Sequence, residues 1–296
     1  MLSIKTGHPV NGVDISADGR LILLGGRDKQ MQLWDVETQA AVRAFPFSNP
    51  VQAVALSPNG ELAAGSKIYR GGFIPVWQVQ NGTDAPLYQI DDTHHIDLVS
   101  CLAFSTDGRF LISGGHEPEV CVWEANSSNL RHKWEGYTPP SAVTFSPNGR
   151  YAAAGYGGSG NGRIIIWMLK TGKEKSDINT GKRGGVRCLA FAPDSKHFAA
   201  GCRDLTLRFW RMGRKTPLIQ TTLGRAPRAL VFSGDGSQMF VGLANGMIAV
   251  HNVVDGTAVS EWKAHYTTVT SLAISANGTR LISGSEDGTA KVWQVK

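Results

Sequence analysis

A short turn signature recurs seven times along the 296 residues of this chain. The copies are DISADG ending at Gly19, ALSPNG at Gly60, AFSTDG at Gly108, TFSPNG at Gly149, AFAPDS at Ser195, VFSGDG at Gly236 and AISANG at Gly278. Self-similarity at a fixed period of roughly forty residues is typical of an array of equal structural units. The repeat therefore restricts the fold before any side-chain chemistry is considered.

A second marker runs in phase with the first and closes a short β-branched run in each unit. Between the two markers, as in residues 280–293, two apolar runs flank an Asp-Gly pair, which is a strong hairpin signal. Each unit therefore predicts four short antiparallel strands, named a to d in chain order, and no segment shows helical periodicity. The closing residues, each at the end of strand c, are Trp34, Trp77, Trp123, Trp167, Trp210, His251 and Trp293.

These markers make the chain resemble the WD-repeat β-propeller family over essentially its whole length. Trp34-Asp35 is the one true Trp-Asp pair, and the Gly-His that opens repeats of that family is present as Gly7-His8. The resemblance implies an all-β fold: a seven-bladed β-propeller of four-stranded antiparallel blades. It also implies a non-catalytic binding function.

The resemblance further implies buried hydrogen-bonded tetrads that join a loop to the strands of the same blade. In such a network each polar group has a partner, so we expect a structural role rather than a catalytic one. In the last unit the matching residues are His265, Ser283, Asp287 and Trp293; the third has His95, Ser113 and Trp123 with Glu117 in the acid's place; the first has His8, Asp28 and Trp34 with Leu24 where the hydroxyl belongs.

Ring closure is predicted from the two ends of the array. The seventh unit reaches strand c, and residues 2–6 offer a further strand directly before Gly7-His8. We expect residues 2–6 to complete the last blade, because this removes an unpaired sheet edge. Residues 1–296 are then one domain, with repeats at approximately 7–46, 47–91, 92–135, 136–180, 181–223, 224–263 and 264–296 plus 1–6.

Composition favours a soluble cytoplasmic protein without a cofactor. No apolar run approaches the roughly 18 residues of a membrane span, and no leader-like segment is visible. The four cysteines fall in predicted strands without a CxxC pair or a histidine at metal-ligand spacing, so we expect buried, reduced thiols and no metal.

The net charge of +6 is unevenly distributed. Residues 170–228 contain fourteen Lys/Arg and four Asp/Glu, a balance of +10, whereas the other residues contain sixteen and twenty, a balance of −4. One side of the ring is therefore basic, which favours association with an acidic partner without naming it.

The resemblance places the d-to-a and b-to-c connections on one face, around the entrance of the central channel. Our hypothesis is that arginines there bind an acidic or phosphorylated segment, since guanidinium groups pair bidentately with carboxylate and phosphate. Ordinary solvated charge, partly neutralised by Asp28 and Asp204, is an equally weighted alternative. The candidate partner-binding residues are Arg27, Lys182, Arg183, Arg187, Arg203, Arg225 and Arg228.

Two b-to-c connections are longer than the others. One contains Tyr69 and Arg70, residue types favoured at binding hot spots, which we add to the candidate site. The other is a glycine-rich run, residues 157–162, for which a tolerated insertion is the preferred interpretation.

Asp14 stands where other units have small or apolar residues, so we expect a neighbouring basic or hydroxyl partner.

Three function classes stay open at this point. A protein-interaction scaffold, alone as a monomer or within a larger assembly, is favoured because no catalytic, metal or cofactor pattern is present. An enzyme with a polyanionic substrate at the channel mouth is the second class. Nonspecific nucleic-acid binding is the third, because the basic sector lacks interleaved aromatic residues for base stacking.

Overall fold

The computed structural model describes residues 2–67, 72–81, 83, 85–91, 95, 97–158 and 161–295. These residues form twenty-eight β-strands in seven four-stranded antiparallel sheets, as the sequence predicts. The seven sheets are the blades of a propeller, numbered 1 to 7 in chain order.

Each blade consists of four strands, a to d from the channel outward. Blade 1 contains β2 (Val10–Ile15), β3 (Leu21–Gly26), β4 (Gln30–Asp35) and β5 (Ala40–Pro46); blade 2 contains β6 (Val51–Leu56), β7 (Leu62–Lys67), β8 (Ile74–Gln78) and β9 (Tyr88–Ile90). Blade 3 contains β10 (Val99–Phe104), β11 (Phe110–Gly115), β12 (Glu119–Glu124) and β13 (Leu130–Glu135); blade 4 contains β14 (Pro140–Phe145), β15 (Tyr151–Tyr156), β16 (Gly162–Met168) and β17 (Glu174–Gly181). Blade 5 contains β18 (Val186–Phe191), β19 (His197–Cys202), β20 (Thr206–Arg211) and β21 (Ile219–Thr222); blade 6 contains β22 (Pro227–Phe232), β23 (Gln238–Leu243), β24 (Met247–Asn252) and β25 (Ala258–Lys263). Blade 7 contains β26 (Val269–Ile274), β27 (Arg280–Ser285), β28 (Thr289–Gln294) and β1 (Leu2–Lys5).

The strand that closes the ring comes from the other end of the chain. Strand β1 pairs antiparallel with β28, from Leu2 opposite Val292 to Lys5 opposite Thr289. Ile4 is buried in the cluster between blades 7 and 1, and the amide of Thr6 donates to the carbonyl of Gly288 at 2.9 Å. The predicted closure by the N-terminal strand is confirmed.

The core lies between blades rather than within one blade. Between blades 2 and 3, for example, small residues of strands a and b such as Ala55 and Ala64 leave room for Val99, Leu111 and Trp123. Burial is highest in the strands b, such as β27, and lowest in the outer strands d, such as β25. Large apolar surfaces are therefore buried only when neighbouring blades stack, which is why a single repeat does not fold alone.

The recurring signature reflects one hydrogen-bonded turn. In the second copy, the hydroxyl of Ser57 donates to Asn59 Oδ1 at 2.7 Å and accepts from the amide of Leu62 at 2.8 Å. Gly60 then adopts φ +72°, a conformation that glycine reaches without strain. The same serine-to-Asp/Asn bond recurs in copies one, three, four, six and seven.

The fifth copy lacks this serine and uses a different set of bonds. Ala192 replaces the serine, and Asp194 instead accepts from the amides of Lys196 and His197 and contacts His197 Nδ1 at 2.6 Å. The carboxylate thus takes over the turn, which leaves Ser195 in the glycine position with φ +56°.

The tetrad residues of blade 7 lie together. His265 Nε2 and Ser283 Oγ are 2.7 Å apart, Trp293 Nε1 donates to the same Oγ at 2.9 Å, and His265 Nδ1 lies 3.4 Å from Asp287 Oδ2. Burial lowers the pKa of His265 despite the nearby carboxylate, so the ring is held neutral. Thr289, which the sequence did not single out, adds a contact to His265 Nδ1 at 2.9 Å.

Blade 3 has the same arrangement with a longer acid. His95 Nε2 lies 2.7 Å from Ser113 Oγ, and Trp123 Nε1 donates to that hydroxyl at 2.8 Å. Glu117 is 3.9 Å from His95 Nδ1, so its extra methylene keeps the carboxylate near the imidazole.

Blade 1 departs from the expected arrangement. His8 is exposed, while Trp34 Nε1 donates to Gln32 Oε1 at 3.0 Å and Gln32 Nε2 donates to Asp28 Oδ2 at 2.8 Å. Because Leu24 supplies no hydroxyl to join an indole to an imidazole, the Gln32 amide links Trp34 to Asp28 instead. The assignment of His8 to a buried tetrad is therefore wrong.

Removing residues 2–6 is expected to lower the melting temperature sharply, because the deletion exposes the edge of β28 and the core around Ile4. Burial of Ile4 alone contributes on the order of 2 kcal/mol. Differential scanning calorimetry of the truncated protein checks this. A Ser3→Ala variant, altered at an exposed position of the same strand, should melt like the wild type, and an unchanged melting temperature after truncation would contradict the closure.

Candidate functional site

A β-bulge occurs at the same place in strand a of every blade. In each case the pairing of strands a and b skips one residue, as between Val10 and Gly12 in blade 1. The skipped residues are Asn11, Gln52, Ser100, Ser141, Arg187, Arg228 and Thr270. A bulge leaves its residue unpaired and re-aims the side chain. All seven side chains line the central channel, and we call them the bulge ring.

Several members of the bulge ring hold the next blade. Asn11 donates to the carbonyl of Val51 at 2.7 Å, Ser141 to that of Val186 at 2.6 Å, and Thr270 to that of Val10 at 2.7 Å. In these three bonds the acceptor is the residue before the bulge of the following blade. The bonds contribute to a polar girdle around the channel, which has a volume of about 520 Å³.

Two adjacent blades have an arginine, Arg187 or Arg228, at the bulge position instead of a short polar residue. Strands β18 and β22, which carry them, are neighbours around the channel. Among the described residues, Arg187 Nε is buried and has no hydrogen-bond partner, whereas Arg228 is exposed. Unpaired buried donors are rare in folded proteins and call for an explanation.

The electrostatics of this sector are uncompensated. Burial lowers the pKa of Arg187 first, and the positive charges of Arg228 and then Arg203 lower it further. The carboxylate next to Arg203 in sequence is engaged elsewhere, because Asp204 pairs with Arg208. Asp28, on blade 1, accepts from Gln30 and Gln32 and does not belong to this sector. The three guanidinium groups of Arg187, Arg203 and Arg228 therefore form one positive cluster at the channel entrance.

A basic groove of about 500 Å³ extends from this cluster toward blade 4. Exposed Lys182, Arg183 and Arg203 line it, and Asp204, which is paired with Arg208, is the one acidic residue among the other lining residues, Gly158, Gly185 and Leu205. The glycine-rich connection of blade 4 contributes to its shape, because a Cβ at Gly157 would approach the carbonyl of Val186 to 2.4 Å. Glycine at this position therefore lets the connection approach the backbone of Val186, which a mere surface insertion would not require.

Among the other candidate residues, Arg225 and Arg27 line neither the channel nor this groove. Arg225 is exposed in the connection before blade 6, and its guanidinium donates to the carbonyl of Gly224. Arg27 is exposed on blade 1, which is not adjacent to blade 5 in the ring, so the structure does not bring it together with Arg187. Tyr69 and Arg70 lie outside the described residues.

Asp14 also lines the channel, but its partners differ from those the sequence suggested. Its carboxylate accepts from the amides of Ile15 and Leu56, each at 2.8 Å, so it joins blade 1 to blade 2 through backbone groups. Burial raises its pKa to about 6, and the two amides only partly oppose this shift.

The four cysteines are free thiols in strands; Cys121, Cys188 and Cys202 are buried, as expected, whereas Cys101 is only partly buried. Burial raises the pKa of each, for Cys188 to about 12. Within the described part of the chain, no three His, Cys, Asp or Glu side chains are placed to hold a metal ion.

No helix among the described residues is long and apolar enough to cross a membrane.

Seven four-stranded sheets around a channel define a β-propeller. Five stretches of the chain, residues 1–35, 86–124, 128–168, 175–211 and 256–294, match the model of the WD40 family, described as WD domain, G-beta repeat. These stretches cover more than half of the sequence, so the chain belongs to the WD40 family.

Two curated relatives are similar over most of this chain. Periodic tryptophan protein 2 of Saccharomyces cerevisiae is 21% identical over 329 aligned residues, which cover 97% of this chain and 34% of that protein. Small ribosomal subunit protein RACK1 of Caenorhabditis elegans is 28% identical over 264 residues, covering 84% of this chain and 78% of that protein. This chain thus spans about a third of the length of the yeast relative.

The raised pKa of Asp14 predicts a pH-dependent stability. Between the ordinary pKa of 3.8 and the folded value of about 6, the folded state binds more protons than the unfolded state. Stability relative to an Asp14→Ala variant is therefore highest at acid pH and falls as pH rises through this window, by about 3 kcal/mol in total.

Urea unfolding of both proteins at several pH values between about 3 and about 7.5 measures this difference. Replacing the exposed carboxylate of Glu286 by alanine is the control and should show no such trend. A constant difference between wild type and Asp14→Ala across the range would contradict the assignment.

Proposed function

We propose that this chain is a non-catalytic protein-interaction scaffold that binds an acidic or phosphorylated segment at the channel entrance over blades 5 and 6. The observation that carries the proposal is the positive cluster of Arg187, Arg203 and Arg228, whose neighbouring carboxylate, Asp204, is already paired with Arg208. Solvated surface charge does not require a buried Nε without a partner, as Arg187 has among the described residues.

The bulge ring explains how the fold offers such a site. In blades 1, 4 and 7 a short polar side chain at this position is consumed by the bond to the next blade. Arginine is too long for that role, so its guanidinium can pair with a carboxylate or phosphate of a bound segment. The basic groove lined by Lys182 and Arg183 then accompanies the segment away from the channel.

Membership of the WD40 family supports an interaction function rather than catalysis. The name of the worm relative places that protein in a ribosomal subunit, which supports a larger assembly as the setting for this chain. For the same reason we propose a protein partner, met in the cytoplasm or in an assembly that forms there.

The double variant Arg187→Gln, Arg228→Gln removes two positive charges and should lose affinity for acidic peptides. Each lost charge-assisted hydrogen bond contributes about 1.5–3 kcal/mol, so at least about a tenfold loss is expected. The measurement is fluorescence anisotropy with matched peptide libraries that contain phosphoserine, aspartate or serine at one position.

The matched control is Arg214→Gln with Lys215→Gln, which removes the same charge from the c-to-d turn of blade 5 on the opposite face. This control should bind like the wild type. Equal losses in both double variants, or equal competition by a single-stranded oligonucleotide with a steep salt dependence, would reject the peptide site in favour of nonspecific charge.

A further inference from the structure

Four turns of blades 4 and 5 form one surface on the face opposite the channel entrance. Within each blade, a backbone hydrogen bond joins the c-to-d turn to the a-to-b turn: the amide of Leu169 donates to the carbonyl of Arg150 at 2.9 Å, and that of Met212 to the carbonyl of Lys196 at 2.7 Å. The a-to-b turns are residues 146–150 and 192–196, and the c-to-d turns are residues 169–173 and 212–218.

The fifth copy of the turn signature joins these turns across the two blades. Ser195 stands where the other copies have glycine, and its Oγ accepts from the amide of Asn148 in blade 4 at 3.0 Å. A glycine at this position would have no side chain to accept that bond. The departure of the fifth copy from the signature therefore helps to hold the four turns in a fixed arrangement.

Each of the four turns carries at least one exposed cation. Among the described residues, none of these side chains makes an ion pair or a hydrogen bond, so their charge is not neutralised within the protein. We call the six side chains the turn patch: Arg150, Lys170, Lys173, Lys196, Arg214 and Lys215.

The acidic residues beside the turn patch do not offset its charge. Asp194 is engaged, because it accepts from the amide of Lys196 and contacts His197 Nδ1 at 2.6 Å. Glu174, at the start of β17, lies between Lys173 and Lys175 in the sequence. The surface is thus strongly positive.

The rest of this face has the opposite charge. The turns of blades 1, 2 and 6 carry exposed carboxylates, for example at Glu37, Glu61 and Asp255, and Arg20 is paired with Asp35. A flat anionic membrane against this face would meet those carboxylates as well as the cations. A narrower polyanion that lies over blades 4 and 5 alone would meet only the turn patch.

The composition of the four turns favours a phosphate backbone as that polyanion. The turns contain no aromatic residue, and Leu218 is their one large apolar side chain that is exposed, whereas the cores of protein interfaces are rich in both kinds of residue. Binding of a single strand also relies on aromatic side chains that stack with its bases. The exposed side chains of Asn148, Thr171 and Thr216 stand among the cations, and such small polar groups contact phosphate and sugar.

We propose that the turn patch binds double-stranded RNA through its phosphates and 2′-hydroxyl groups. An RNA duplex presents these groups across a wide, shallow minor groove, which short turns can contact without entering it. Proteins that read DNA place a helix or a β-ribbon in the major groove, and the four turns offer neither. The turn patch and the arginine cluster lie on opposite faces, so this site does not depend on the function proposed above.

The test measures fluorescence anisotropy of a labelled RNA duplex of about 20 base pairs with the intact protein over a series of salt concentrations. The variants are Lys170→Gln with Lys173→Gln in blade 4, Arg214→Gln with Lys215→Gln in blade 5, and all four together. The slope of log affinity against log salt concentration should become shallower by about two in each double variant and by about four in the quadruple variant. Each double variant should lose on the order of tenfold in affinity at low salt.

The control Arg187→Gln, Arg228→Gln removes two cations from the opposite face and should bind the duplex like the wild type. An equal loss in this control, or a salt slope that the turn variants leave unchanged, overturns the proposal. A DNA duplex or a single RNA strand of the same sequence should bind more weakly, and equal binding of either contradicts the assignment to double-stranded RNA. Equal competition by polyglutamate at the same concentration of negative charge would instead indicate an acidic protein segment. Because the turn variants should keep their affinity for acidic peptides and the control should lose it, failure of one site is distinguishable from failure of the other.

Discussion

Pairing between the first and last strands is the interaction on which the rest of the propeller depends. Each blade buries its apolar faces only against its neighbours, so an open array would leave two faces and two strand edges exposed. The β1–β28 ladder prevents this, and it places Ile4 in the cluster that joins blade 7 to blade 1. A closed ring also fixes the diameter of the channel and the positions of the seven bulges around it.

The bulges determine which side chains the closed ring presents to the channel. A regular strand a would alternate its side chains between the two faces of the blade, whereas a bulge turns one side chain toward the channel. Short polar residues there strengthen the junctions between blades, as Ser141 does with Val186. Arg187 and Arg228 replace such short polar residues in blades 5 and 6. Their positive charge at the channel entrance is the feature that supports a binding role.

The sequence predicts the scaffold well and the site only in part. Blade number follows from the turn signature, because its hydrogen bonds leave a visible pattern in each repeat. Closure follows from the two ends of the array, where the last repeat reaches strand c and residues 2–6 offer a further strand. The bulge that directs Arg187 and Arg228 into the channel leaves no such pattern, since no single residue type marks it. His8 matches the family pattern, yet a tetrad needs a hydroxyl that Leu24 cannot supply. For Asp14 the partner is a backbone amide of the next blade, and sequence patterns do not reveal free amides.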